Sequence, residues 1–181
     1  MNDPLNMLAP RLLAWWDEHG RHDLPWQQNP TPYRVWVSEI MLQQTQVVTV
    51  EKYFPRFMQS FPTVAALAAA AADEVLHHWS GLGYYSRARN LHAAAKQVVA
   101  MHAGELPADI NLLLDLPGIG QSTAAAILAL SRNQRHAILD GNVKRVLARV
   151  FGIAGWSGTA DNLRQLWQLA EHCTPPERVA N

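Results

Sequence analysis

Apolar residues recur at helical spacing along nearly all of this chain, and no stretch alternates apolar and polar positions in the manner of a strand bounded by turns. That pattern confines the chain to an all-α fold whose breaks are set by glycine and proline. Leu8, Leu12, Leu13, Trp15 and Trp16 form the apolar face of a first helix that stops at Gly20. Pro25, Pro30 and Pro32 punctuate a loop before a helix from about Pro32 to Gln44, with Pro32 suited to its first turn. A third helix runs through Tyr53, Phe54, Phe57 and Met58, with Pro55 near its start or kinking it. Thr63 and Asp73 stand as N-caps of two short helices, and Gly81-Leu82-Gly83 precedes a long one from about Tyr84 to Met101. After a further short helix, segments to Leu130, from Asn142 to Phe151 and from Asp161 to Cys173 complete the set. Trp15, Trp16, Trp36, Trp79, Trp156 and Trp167 are assigned to the core, and Trp26, in its proline-rich loop, is set apart.

One break differs from the rest. Leu116-Pro117-Gly118-Ile119-Gly120 opens the apolar helix from Ser122 to Leu130, and Asp140-Gly141-Asn142 follows twenty residues after Gly120. Glycines let a backbone approach a ligand closely, and the first N–H groups of the next helix form an anion site that needs no basic side chain. A plain corner between two helices would read the same way locally, so distant residues must decide. Formal net charge is zero, yet residues 84–149 carry eight basic and four acidic side chains, against five and eight in residues 1–83. A basic zone holding Arg87, Arg89, Lys96, Lys144, Arg145 and Arg149 therefore adjoins the glycine turn; a solvated mixed-charge surface is the alternative.

Composition narrows the class further. With 181 residues, 49% of them hydrophobic, the chain can bury a real core. No apolar run approaches the ~20 residues that span a bilayer, and Met1 to Pro10 lacks the basic start of a signal peptide, so a soluble cytoplasmic protein with no membrane partner is expected. The single Cys173 excludes an intrachain disulfide and any cluster site built from several thiolates of this chain; it reads as a small buried hydrophobe. The eight histidines show no metal-ligand spacing, so no metal site is expected from side chains.

Chemistry is concentrated in a few letters. Glu39 lies in the otherwise apolar run Val35 to Leu42, where burial would raise its pKa and fit it for proton transfer near neutrality; an exposed stripe on that helix is the alternative. Asp140 is either a helix cap or a second functional carboxylate. The two matter together only if one cleft collects them, as glycosidic-bond chemistry requires an acid for the leaving group and an anion for the cation left behind. Gln43-Gln44-Thr45 and the loop Gly81 to Tyr85 supply amides, hydroxyls and rings able to meet base edges or wedge into a base step.

Taken in chain order, Leu24-Pro25-Trp26, Ser38 to Thr45, Gly81 to Tyr85, Leu116 to Gly120 and Leu139 to Val143 resemble the adenine-DNA glycosylases of the MutY type, within the helix–hairpin–helix DNA glycosylase superfamily. The resemblance covers about residues 10–181. It implies removal of adenine mispaired with 8-oxoguanine or guanine in double-stranded DNA, after the adenine is flipped out of the duplex, by a monomer, at the nucleoid if bacterial. Glu39 would protonate the adenine and later assist water or a displacement; Asp140 would stabilise the sugar cation, electrostatically or covalently. Trp26, Gln27, Leu42 and Val47 match positions lining the adenine pocket, and Gln43 belongs to the same contact segment. Gln44, Thr45, Leu82 and Tyr84 match residues that probe the 8-oxoguanine. Gly118 and Gly120, with Gln121, Thr123 and Lys144, would hold phosphate, and an alkali-metal ion at the hairpin is the one ion the resemblance allows. Ser122 stands where strand-cutting relatives similar to endonuclease III carry a lysine, so base removal without scission is expected. Lys144 is the one nearby amine that could trap the abasic product. His22 departs from the Lys or Arg usual in relatives, and their cysteine-held 4Fe-4S cluster and 8-oxoguanine-reading domain have no counterpart in this sequence. The expected architecture is a six-helix lobe over residues 26–135, with the hairpin at about 112–131, facing an incomplete lobe made of residues 1–25 and 136–181. Reduced activity, or duplex binding without base release, would follow from that incompleteness.

Overall fold

The computed structural model describes residues 4–179, which form ten α-helices and no strand. No helix among them is long and apolar enough to cross a membrane. After α1 (Pro4–His19), the proline loop ends on Thr31, whose hydroxyl accepts from the Arg34 N–H and starts α2 (Pro32–Leu42) with Pro32 in its first turn. Next come α3 (Val47–Ser60), α4 (Val64–Ala69) and α5 (Ala72–Trp79). The long α6 (Ser86–Met101) leads to the short α7 (Ile110–Leu114), capped by Asp109, and to α8 (Gln121–Arg132). The chain closes with α9 (Gly141–Val150) and α10 (Ala160–Cys173). Seven helices fall within residues 26–135 when the five-residue α7 is counted.

Two hydrophobic cores organise these elements. The larger gathers buried residues from Leu24 to Leu128, including the fully enclosed Trp36, Trp79, Phe54 and Phe57. At its centre α8 is buried all round from Thr123 to Ala129, and its alanines let α2 lie close against it. The smaller core joins Ala137, Leu139, Leu147, Leu166 and Ala170, with Leu8 of α1 against them; α10 packs on both α1 and α9.

Several expectations need correction. Helix α2 stops at Leu42, not Gln44, because Gln44 takes a left-handed backbone. Pro55 lies well inside α3 on its exposed side, where water can satisfy the carbonyl its ring leaves without a donor. Asp73 is no cap: α5 begins at Ala72, and Asp73 sits in its first turn with Glu74, near the positive end of the helix dipole. Thr63 does cap α4, accepting from the Ala66 N–H. Of the tryptophans assigned to the core, Trp15 and Trp156 are exposed, Trp156 by 75%, while Trp16 and Trp167 are only partly covered. Aromatic character shows what a ring would gain from burial, not whether a neighbour arrives to provide it. Cys173 is half-buried at the end of α10, against the smaller core.

Candidate active site: two carboxylates and a glycine turn

Glu39 occupies the last turn of α2, on the helix most enclosed by its neighbours. Burial is the main cause that pushes its carboxyl up to about 7, and the charge of Asp140 adds to the shift. The second cause is the informative one: residues a hundred positions apart in sequence lie close enough for one charge to be felt by the other. The fold thus brings the two carboxylates within reach of each other's charge, and Glu39 is partly buried, not on an exposed stripe.

Asp140 is placed there as the N-cap of α9. One carboxylate oxygen accepts from the N–H groups of Asn142 at 3.0 Å and Val143 at 2.8 Å, and the other accepts from the Asn142 side chain at 3.2 Å. Capping fixes the direction of the carboxylate and leaves the side chain exposed, so the cap does not exclude a second role. Ser122 braces the approach: its hydroxyl accepts from the Leu139 N–H at 3.3 Å, tying the residue before Asp140 to the first turn of α8.

The turn before α8 has the form an anion site needs. Gly118 is left-handed, with φ at 78°, and a Cβ there would lie 2.8 Å from that of Asn90 on α6, so only glycine fits. Gly120 is the N-cap of α8 and has no side chain to spend on the helix amides; a Cβ there would meet nothing within 4 Å. The space beside the N-terminus of α8 is therefore open at Gly120. Gln121 is exposed beside it, Thr123 is buried, and Lys144 lies one turn into α9, half-buried.

The remaining predicted residues divide into a buried wall and an exposed rim. Trp26 is buried edge-on against Phe54, in a turn closed by a hydrogen bond from the Leu24 N–H to the Gln27 side chain and held to α2 by the Arg34 guanidinium on the Pro25 carbonyl. Leu42 and Val47 are partly buried against the larger core. On the rim, Gln44 and Tyr84 are exposed, Tyr84 by 62%, whereas Leu82 is only 6% exposed and turns into the core. Gln43 caps α2, and Thr45 donates to its carbonyl at 3.3 Å. His22 sits apart, bonded to the Trp16 carbonyl at the end of α1.

Sequence reasoning missed Arg87, which it counted only among the basic residues. Arg87 is buried, and its guanidinium donates to the carbonyls of Ile40, Met41 and Gln43, to the Thr45 hydroxyl, and to the carbonyls of Leu82 and Gly83. No basic residue lies in the last turn of α2, so a cation from α6 satisfies its terminal carbonyls instead. The signal available was an arginine between Ser86 and Ala88 shortly after a glycine loop, which by itself reads as surface.

Among the described residues, no group of three or more His, Cys, Asp or Glu side chains could hold a metal ion. With one cysteine, the chain has too few thiolates of its own for an iron–sulfur cluster.

Residues 37–172 match the family described as "HhH-GPD superfamily base excision DNA repair protein". The chain is 47% identical over 164 residues to an adenine DNA glycosylase of Buchnera aphidicola subsp. Acyrthosiphon pisum, covering 91% of this chain and 47% of that protein. It is 43% identical over 176 residues to the human adenine DNA glycosylase, covering 92% of this chain and 32% of that one. Thus the chain spans about half or less of the length of these relatives. Among solved structures it is similar to a thermostable thymine-DNA glycosylase, with a TM-score of 0.86 and 28% identity over 95% of this chain and 79% of the other. A non-covalent endonuclease III–DNA complex shares the fold, with a TM-score of 0.76 and 18% identity over 96% and 84%.

Proposed function

This chain belongs to the HhH-GPD superfamily of base excision DNA repair proteins, and on that footing we propose that it is a DNA glycosylase that removes adenine mispaired with 8-oxoguanine or guanine. The observation that carries the reading is the carboxyl of Glu39, held at about 7 beside the exposed, capped carboxylate of Asp140. At neutral pH the pair is divided into an acid able to deliver a proton and an anion that keeps its charge.

The steps follow from that division. Double-stranded DNA lies against the hairpin, where the first turn of α8 takes a phosphate and the loop from Gly118 to Gly120 would hold an alkali-metal ion supplying positive charge there, and the adenine is flipped toward Glu39. Glu39 protonates a ring nitrogen, and the bond from the base to the sugar C1′ breaks with its electron pair leaving on adenine. Cationic charge develops at the sugar, and Asp140 stabilises it. Water then adds at C1′, and its proton returns to the Glu39 carboxylate. Gln44, Thr45 and Tyr84 probe the opposite base, with Leu82 anchoring the Tyr84 loop in the core, while Trp26, Gln27, Leu42 and Val47 line the adenine pocket and Gln43 carries the contact segment between them. Ser122 offers a hydroxyl where an imine would need an amine, so the strand stays intact. The protein acts as a monomer in the cytoplasm, at the nucleoid if the cell is bacterial.

Likeness to the thymine-DNA glycosylase structure favours a second reading, thymine release from a mismatch; adenine is preferred because the relatives named for it share far more of the sequence. A single-turnover assay on labelled duplexes separates these, with adenine opposite 8-oxoguanine in one arm and thymine opposite guanine in another. Strand breaks are expected only after hot alkali and only in the adenine arm. Breaks without alkali would remove the claim of base release alone, and duplex binding with no release in either arm would reduce the chain to a DNA-binding unit.

A further inference from the structure

Two residues on the rim of the cleft, Gln44 and Tyr84, share an uncommon feature: each is exposed and each has a left-handed backbone, with φ at 55° and 48°. Neither is glycine, so each conformation costs on the order of 1 kcal/mol and must be held by its surroundings. The two lie on different segments, forty residues apart. One side chain grips both. Arg87 donates to the carbonyl of Gln43 and the hydroxyl of Thr45, on either side of Gln44, and to the carbonyls of Leu82 and Gly83, just before Tyr84. Its guanidinium also lies 5.7 Å from the centre of the Tyr84 ring and 5.3 Å from Trp79, whose indole N–H shares the Gly83 carbonyl. The same group reaches the Ile40 carbonyl, next to Glu39.

We propose that Arg87 is a positioning residue that couples the two rim segments to each other and to the helix carrying Glu39, so that the fit of the opposite base sets the placement of the acid. The proposal rests on the glycosylase reading for its functional half; the mechanical half stands on the hydrogen bonds alone. A planar cation with several fixed donors can bridge acceptors on separate segments, which the three donors on a lysine ammonium cannot match. Displacement of either rim segment is therefore passed to the other through a rigid group.

Amide hydrogen exchange on the free chain, wild type against Arg87→Lys, tests the mechanical half. Exchange is expected to quicken together, on the order of tenfold, in residues 43–46 and 82–85, while the amides at the centre of α8 are unchanged. Faster exchange in one segment alone, in neither, or equally in α8 would overturn it. Thr45→Val removes one acceptor without touching the loop, and covers the case in which Arg87→Lys does not fold. It is expected to quicken exchange in residues 82–85 severalfold, and no change there would overturn the coupling.

Single-turnover release of adenine opposite 8-oxoguanine and opposite guanine tests the functional half. Arg87→Lys is expected to lower the ratio of the two rates at least fivefold, where a merely structural role would slow both alike. An unchanged ratio refutes that half. If the wild type releases no adenine, the glycosylase reading falls and the exchange result alone decides the coupling.

Discussion

At the scale of single residues, the decisive quantity is the proton on Glu39. A carboxyl held at about 7 is mostly protonated below that pH and ionised above it, so adenine release is expected to fall by about tenfold per unit as pH rises beyond 7 in single-turnover profiles. The same shift has a cost in stability. Between about 4.5 and about 7 the folded chain holds a proton that the unfolded chain has lost, so stability falls as pH rises through that window, by roughly 3 kcal/mol in all. Glu39→Gln removes the titration. It is expected to abolish release and yet to melt higher than wild type at pH 8, with little difference at pH 4; equal melting at pH 8 would show that burial does not hold the proton there. Asp140→Asn makes the complementary test, because asparagine caps a helix as well as aspartate does. Release should drop on the order of a hundredfold or more, with the melting temperature nearly unchanged. Glu39 could be singled out from its apolar neighbours; its second perturber could not, since Asp140 is local to nothing but its own helix.

Among elements, the glycine turn separates two demands that the sequence presents as one. Gly118 is required by the fold, being left-handed and pressed against Asn90, whereas nothing in the fold requires Gly120, whose φ is −94° and whose Cβ position is open. Gly118→Ala is expected to destabilise the chain by about 1–3 kcal/mol. Gly120→Ala should melt within about 1 kcal/mol of wild type, yet bind duplex more weakly in a fluorescence titration, because a methyl then stands beside the phosphate. If both variants bind and melt alike, the turn is a corner and no more. Helix positions were legible wherever proline, a hydroxyl cap or glycine marked them, as at Pro32, Thr63 and Gly20. The end of α2 was not, because it is set by Arg87 from another helix.

For the molecule as a whole, charge distribution outweighs charge. Net charge is zero, but Arg89, Lys96, Arg145 and Arg149 are exposed, while Arg87 has spent its charge internally. Duplex affinity is expected to fall with salt on a log–log slope of roughly −3 or steeper, at about −0.9 per phosphate met; a slope near zero would move the DNA off this face. The sequence by itself determined the all-α class, the breaks between helices, the glycine turn and the two carboxylates, because periodicity, backbone freedom and side-chain chemistry are properties of residues and their near neighbours. Only the tertiary structure decided that Glu39 and Asp140 lie within reach of each other's charge, that Trp15 and Trp156 stay uncovered, and that Arg87 is a buried clamp. Each of those depends on which surfaces meet across a hundred residues or more of chain, or across two helices, and a pattern read along one dimension does not contain that distance.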